Sequence, residues 1–167
     1  MQTALNTISN YNFMEFQYFS GIGLSSSTIE GVSYKAIAPS FKCRSLKFPP
    51  HVQAVTNNGM VGNSGYTKKV VFNEGLICIG SGFRNYSSVV VDIPSTIKRL
   101  GPYMGYNATN MIVIIRADTP PSQIDYYKTQ FKPTAIYVPD ESVDVYKTHS
   151  YWSYWSSKFK PLSEYAG

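Results

Sequence analysis

Apolar residues recur along this chain in short columns rather than in long stripes. Phe72, Leu76 and Ile79 return twenty-one residues later as Ile93, Ile97 and Leu100, and Ile79-Gly80 returns as Leu100-Gly101. Phe48, Val52 and Val55 stand at the same offsets twenty-four residues upstream of the first set. An aromatic or Met four residues after the third position completes the unit: Ile37 to Phe41, Ile79 to Phe83, Leu100 to Met104. Several apolar columns at near-constant spacing mark a stack of units, each too small to bury its own apolar face.

Inside each unit the pattern predicts a strand, a turn and an irregular or single-turn return segment. The strands are expected at Ser45–Phe48, Lys69–Phe72, Val89–Ile93 and Met111–Ile115, where residues alternate or are β-branched. Pro49, Pro50 and Pro94 end strands because proline cannot donate to a ladder. Gly75, Gly80, Gly82 and Gly101 are expected in the turns. Further on, Ile136 and Val138 predict a strand stopped by Pro139. Asp140 then stands where an N-cap belongs, and Val143, Tyr146 and Lys147 share one face of a helix over Asp140–His149. Trp152, Trp155 and Phe159 would close the stack.

Together these elements resemble a known family. The unit Val91–Met104 (VDIPSTIKRLGPYM), with its strand, Ile-Pro, Ile, Leu-Gly and apolar closer, is similar to the BspA-type leucine-rich repeat. Phe41–Pro49 approximates that family's F-x-x-C-x-x-L-x-x-I-P join, and Glu15–Gly21 is similar to its opening strand. Asp118–Pro121, Ile136–Asp140, Val143, Tyr146 and Trp152 resemble its closing unit. The resemblance implies a mainly β fold with short helical segments, a short leucine-rich-repeat-like solenoid with N- and C-terminal caps. The expected layout is one domain over 1–167: an N-terminal strand or cap at 1–28, repeats at 29–117, and a one-helix C-terminal cap at 118–167. It also implies adhesion or attachment work on bacterial surfaces and in their phages.

Composition narrows the chemistry. Of 167 residues, 43% are hydrophobic and only 15% charged, which argues against a disordered tail or a coiled coil. The longest aliphatic run, Met111–Ile115, is too short to cross a bilayer, so membrane insertion is not expected. No basic start followed by an apolar stretch opens the chain, so secretion by a signal peptide is not expected. Cys43 and Cys78 have no metal-type spacing and are expected as free thiols. The net charge is +5, but Lys98 and Arg99 align with Ile77 and Cys78, and Lys47 with Val71, Asp92 and Val113. No basic column forms, and nucleic acid is not an expected partner.

Catalysis finds little support. His51 follows two prolines and His149 sits at a helix end, and no nucleophile elbow or phosphate loop accompanies them. No catalytic residues, metal site or cofactor are expected. Tyr151 and Tyr154 flank Trp152 and Trp155 in a cluster that could stack on sugar faces, although the two Trp residues suit a core better.

The strand alternation carries the sharper expectation. With Phe48, Phe72, Ile93 and Ile114 pointing inward, Val71, Val90, Met111, Val113 and Ile115 fall on the outer face and form an apolar contact surface. Phe13, Phe16, Tyr18 and Phe19 could instead cover it from within the same chain. The expected function is therefore non-catalytic assembly or attachment, as a phage virion structural or surface component such as a decoration, fibre or tail protein. A bacterial surface adhesin and an accessory domain of a carbohydrate-active enzyme are the alternatives. The expected partners are proteins of a virion or cell surface, or a glycan, within an oligomer or larger assembly.

Overall fold

The computed structural model describes residues 52–55, 68–79, 86–101, 105–122 and 128–167 in full. For 9–11, 14–15, 25–29, 32–37, 42–43, 45–47 and 123 it describes the strand backbone alone. The first strands are β1 (Ser9–Tyr11), β2 (Met14–Glu15), β3 (Ser25–Ile29), β4 (Val32–Ile37) and β5 (Lys42–Cys43). Next come β6 (Ser45–Lys47), β7 (Ala54–Val55), β8 (Lys69–Val71), β9 (Cys78–Ile79) and β10 (Val90–Ile93). The last are β11 (Arg99–Leu100), β12 (Met111–Ile115), β13 (Ser122–Gln123), β14 (Pro133–Val138) and β15 (Phe159–Pro161). The one α-helix among the described residues is α1 (Val143–Thr148), preceded by a 3-10 turn at Asp140–Ser142.

These strands make two principal sheets. A seven-stranded sheet runs β15-β14-β12-β10-β8-β6-β2, and a six-stranded sheet runs β13-β11-β9-β7-β4-β3. A two-stranded sheet joins β1 to β5. Among the described residues all strand pairings are parallel except β3 with β4, and an isolated antiparallel bridge joins Tyr106 to Phe131.

The leucine-rich-repeat-like solenoid expected from the sequence is corrected by this arrangement: two parallel sheets with few helices, α/β-like in the direction of its strands. Hydrogen bonding explains the difference. The return segments, expected to be irregular or single-turn, each close one turn (Leu76 N–H to the Asn73 carbonyl and Ile97 N–H to the Pro94 carbonyl, both at 3.3 Å), and beyond it their backbone groups pair sideways. Ile77 N–H donates to the Gln53 carbonyl at 2.7 Å, Lys98 to Ile77 at 2.8 Å, and Ser122 to Lys98 at 2.9 Å. Backbone groups used between segments are not free to close helical turns within them.

The spacing read from the sequence is the spacing between paired strands. Val55, Ile79 and Leu100 stand side by side in the second sheet, and Val52, Leu76 and Ile97 are buried beside them. Asn73 and Glu74 tie the turns together. The Asn73 side-chain amide donates to the Val52 carbonyl at 3.1 Å, and Glu74 accepts from both the Ser95 backbone N–H and hydroxyl. Gly75 sits at φ 97°, a conformation that costs a side-chain-bearing residue, and its N–H donates to the Thr96 hydroxyl at 2.9 Å.

The column of Phe48, Phe72, Ile93 and Ile114 departs from the expectation. Ile93 pairs with Ile115, not Ile114, and Val91 pairs with Val113. Met111, Val113 and Ile115 therefore point inward and are fully buried, in one core cluster with Val70, Phe72, Val91, Ile93, Ile136 and Val138. The expected outer contact surface loses these three residues. Ile114 takes the outer face beside Asp92 and Tyr137, and Phe48 and the aromatic residues 13–19 lie outside the residues whose side chains are described. Residues 118–167 do more than cap the stack, since β14 and β15 extend the larger sheet by two strands.

Cys78 is a free, buried thiol on β9, and burial pushes its pKa from 9.0 up to about 11. Cys43 lies on a strand whose side chains are not described. The buried Tyr146 phenol shifts the same way, by desolvation and then by the charge of Asp118. In both groups the folded state holds a proton that the unfolded chain releases sooner. The Cys78 contribution is complete below about pH 9 and is lost as pH rises through about 11, and the Tyr146 contribution is lost at higher pH still. The urea midpoint should fall across that window, and Cys78→Ala should make the fall shallower. A midpoint that is flat from pH 9 to 11 would contradict the burial of the Cys78 thiol.

Candidate functional site

The expected contact residues separate into three groups. Met111, Val113 and Ile115 belong to the core. Val71 and Val90 are half-buried on the outer face of the larger sheet, as is Ile112 beside Val90. Tyr151 and Tyr154 belong to the C-terminal aromatic cluster, where Tyr151 is half-buried and Tyr154 is 55% exposed.

The outer face is partly covered by the chain's own last residues. Tyr165 stacks on Tyr137 at 5.0 Å between ring centroids, and Tyr137 is the rung next to Ile114. Burial first, then the charge of the Asp92 carboxylate, raise the Tyr165 pKa. The segment is tied down by the Ser163 N–H, which donates to Asp140 Oδ1 at 3.0 Å. The expected N-cap role of Asp140 is thereby corrected. No side chain caps the 3-10 turn, and the Asp140 carboxyl, held below its ordinary range by Ser163, receives the tail instead. Asp92 accepts two bonds from Arg116, at 2.7 and 2.9 Å.

The C-terminal cluster is built on two buried indoles. Trp152 Nε1–H donates to the Pro121 carbonyl and Trp155 Nε1–H to the Phe131 carbonyl, each at 2.9 Å. Tyr146 O–H donates to the Ala117 carbonyl at 2.8 Å. His149, at the end of α1, accepts from the backbone N–H groups of Tyr151 and Trp152 through Nδ1, at 3.2 and 3.4 Å. It thus satisfies backbone N–H groups at the start of the 3-10 helix Trp152–Lys158.

Beside this cluster lies a groove of about 550 Å³. Three elements shape it. Ala108, Thr109 and Asn110 come from the loop before β12, Thr129 and Phe131 to Thr134 from the segment leading into β14, and Tyr154, Trp155, Ser157 and Lys158 from the 3-10 helix. Phe131 and Trp155 meet edge to face at 5.1 Å and make an apolar floor. The loop is fixed by geometry. Asn107 and Asn110 both hold left-handed φ values, 55° and 52°, which Asn tolerates. Gly105, at φ 74°, packs so closely on Phe131 that a Cβ there would overlap the ring. The rim carries the side chains of Thr109, Asn110, Thr129, Thr134 and Ser157 and the ammonium groups of Lys132 and Lys158. The described lining includes no carboxylate, imidazole or thiol. A third ammonium, Lys128 Nζ, lies 4.6 Å from the Tyr151 ring and 5.2 Å from the Tyr154 ring.

Of this groove the sequence indicated Tyr154 and, in the same aromatic cluster, Trp155. Lys132, Lys158, Asn110 and the threonines have no mutual spacing, since they come from three separate segments. The Asn107–Asn110 pair before an apolar run was the one local signal, and it marks a turn rather than a ligand.

A smaller recess of about 380 Å³ lies at the opposite ends of the strands, among Ser95, Ile97, Lys98 and Ala117–Pro121. Among the described residues, no three His, Cys, Asp or Glu side chains converge as metal ligands, and no helix is long and apolar enough to cross a membrane. No protein-family model matches the chain, and comparison with curated proteins likewise yields no match.

Proposed function

We propose that this protein works by binding rather than by turnover, as an attachment or assembly component of a virion or a cell surface. The observation that carries this reading is the exposed Tyr154 on a rigid base, next to a groove with an apolar floor and a polar rim. Two indole-to-carbonyl bonds and the His149 side chain hold the base in place, so little side-chain freedom is lost when a partner docks. Concave sites with an apolar lining and a few placed polar groups are where ligands dock. A phage surface component is the reading preferred here, with its target on the bacterial envelope.

Co-sedimentation of the labelled full chain with intact bacterial envelopes tests this. Retention that Tyr154→Ala reduces by about tenfold, a loss of about 1.4 kcal/mol, is the expected result. A chain that stays in the supernatant with every envelope tried, and elutes as a monomer that joins no assembly, would overturn the reading.

A further inference from the structure

We infer that the groove beside Tyr154 is a binding site for an acidic oligosaccharide, a sugar chain bearing carboxylates. This rests on the attachment reading above and gives it a ligand class. The floor made by Phe131 and Trp155, with Tyr154 at the rim, offers apolar and aromatic surface of the kind that packs against the C–H face of a sugar ring. Hydroxyl and amide groups at the rim can exchange hydrogen bonds with sugar hydroxyls, whereas a purely apolar ligand would leave them unpaired.

Charge selects among sugars. Lys132 enters from the residue just before β14 and Lys158 from the 3-10 helix, so the two ammonium groups come from different walls of the groove. With no carboxylate in the described lining to neutralise them, an anionic ligand is favoured. Lys128, over the neighbouring tyrosine rings, adds positive potential at the same end of the molecule. The volume of about 550 Å³ lies within the ordinary range for small-ligand sites, roughly 300–1,000 Å³. A nucleic acid fits less well, since it would need a basic track along the molecule rather than a short bracketed groove.

Calorimetric titration of the full chain with sialyllactose and trigalacturonate, against neutral lactose and maltotriose, tests the inference. An acidic sugar should bind about tenfold or more tightly than the neutral ones, an advantage that shrinks as salt is raised. Lys132→Ala with Lys158→Ala should remove the preference for acid. Tyr154→Ala should weaken acidic and neutral sugars alike while the melting temperature stays near wild type, because the ring is largely exposed. Equal binding of neutral and acidic sugars would overturn the inference. So would an acidic preference that survives the double lysine variant, or tighter binding of a polyglutamate peptide than of any sugar. If none of the sugars binds but the chain still sediments with envelopes, the ligand class is wrong and attachment stands. If neither occurs, both fall.

Discussion

Val113→Asp should abolish cooperative folding. Val113 is completely buried between Val91 and Ile136 on neighbouring strands, in the middle of the core cluster. An ionised carboxylate there has no partner and loses its hydration, at a cost of several kcal/mol. A domain with roughly 5–15 kcal/mol of total stability has little margin for such a loss. Val90→Lys is the control. Val90 sits one residue out of phase, half-buried on the outer face, where a long side chain can reach water, and the cost should stay within about 1 kcal/mol. Thermal melts followed by far-ultraviolet circular dichroism separate the two. A Val113→Asp melt close to wild type would mean that the β10–β12 register is displaced by one residue.

Trp152→Ala is expected to cost about 3–5 kcal/mol, the range for emptying a buried aromatic site. The indole is fully buried and packs against Tyr146, Tyr151, Trp155 and Phe159. Its loss also strands the Pro121 carbonyl. Trp152→Phe keeps much of the ring packing and gives up the hydrogen bond and part of the volume, so a smaller loss of about 1–3 kcal/mol should result. Urea unfolding, with the slope compared between variants, measures both. If Trp152→Ala shifts stability by less than about 1 kcal/mol, the aromatic cluster does not hold the end of the sheet in place.

Much of the strand placement is legible in the residues themselves. Phe72, Leu76 and Ile79 announce Ile93, Ile97 and Leu100 because each position lies in the same core beside its successor. Β-branched residues and the prolines after Ile93 and Val138 mark where the ladder runs and stops. The register of β12 is not legible in the same way. Met111-Ile112-Val113-Ile114-Ile115 is apolar at every position, so alternation cannot say which residues face inward. The step from Ile93 to its partner is one residue longer than the step from Phe72, and the loop at 105–110 takes up the difference. On the opposite face Ile114 is buried beside Tyr137, whose ring meets that of Tyr165 twenty-eight positions on, a contact no local pattern encodes. The groove is hidden for a related reason. Its polar groups come from three segments whose proximity is decided by the pairing of β12 with β14.

The bidentate pair between Asp92 and Arg116 bears on how the chain avoids a wrong alignment while folding. Sliding β12 past β10 by two residues would keep Met111, Val113 and Ile115 on the inner side, so hydrophobic burial alone discriminates weakly against it. The same slide would carry Arg116 about 6–7 Å along the strand and leave Asp92, only 11% exposed at its side chain, without its counter-charge. An unpaired, mostly buried carboxylate is penalised far more than a half-filled core position. The ion pair therefore acts as a vernier mark between two apolar strands. Arg116→Met should allow misaligned species to accumulate during refolding, even where the final native state is only modestly less stable.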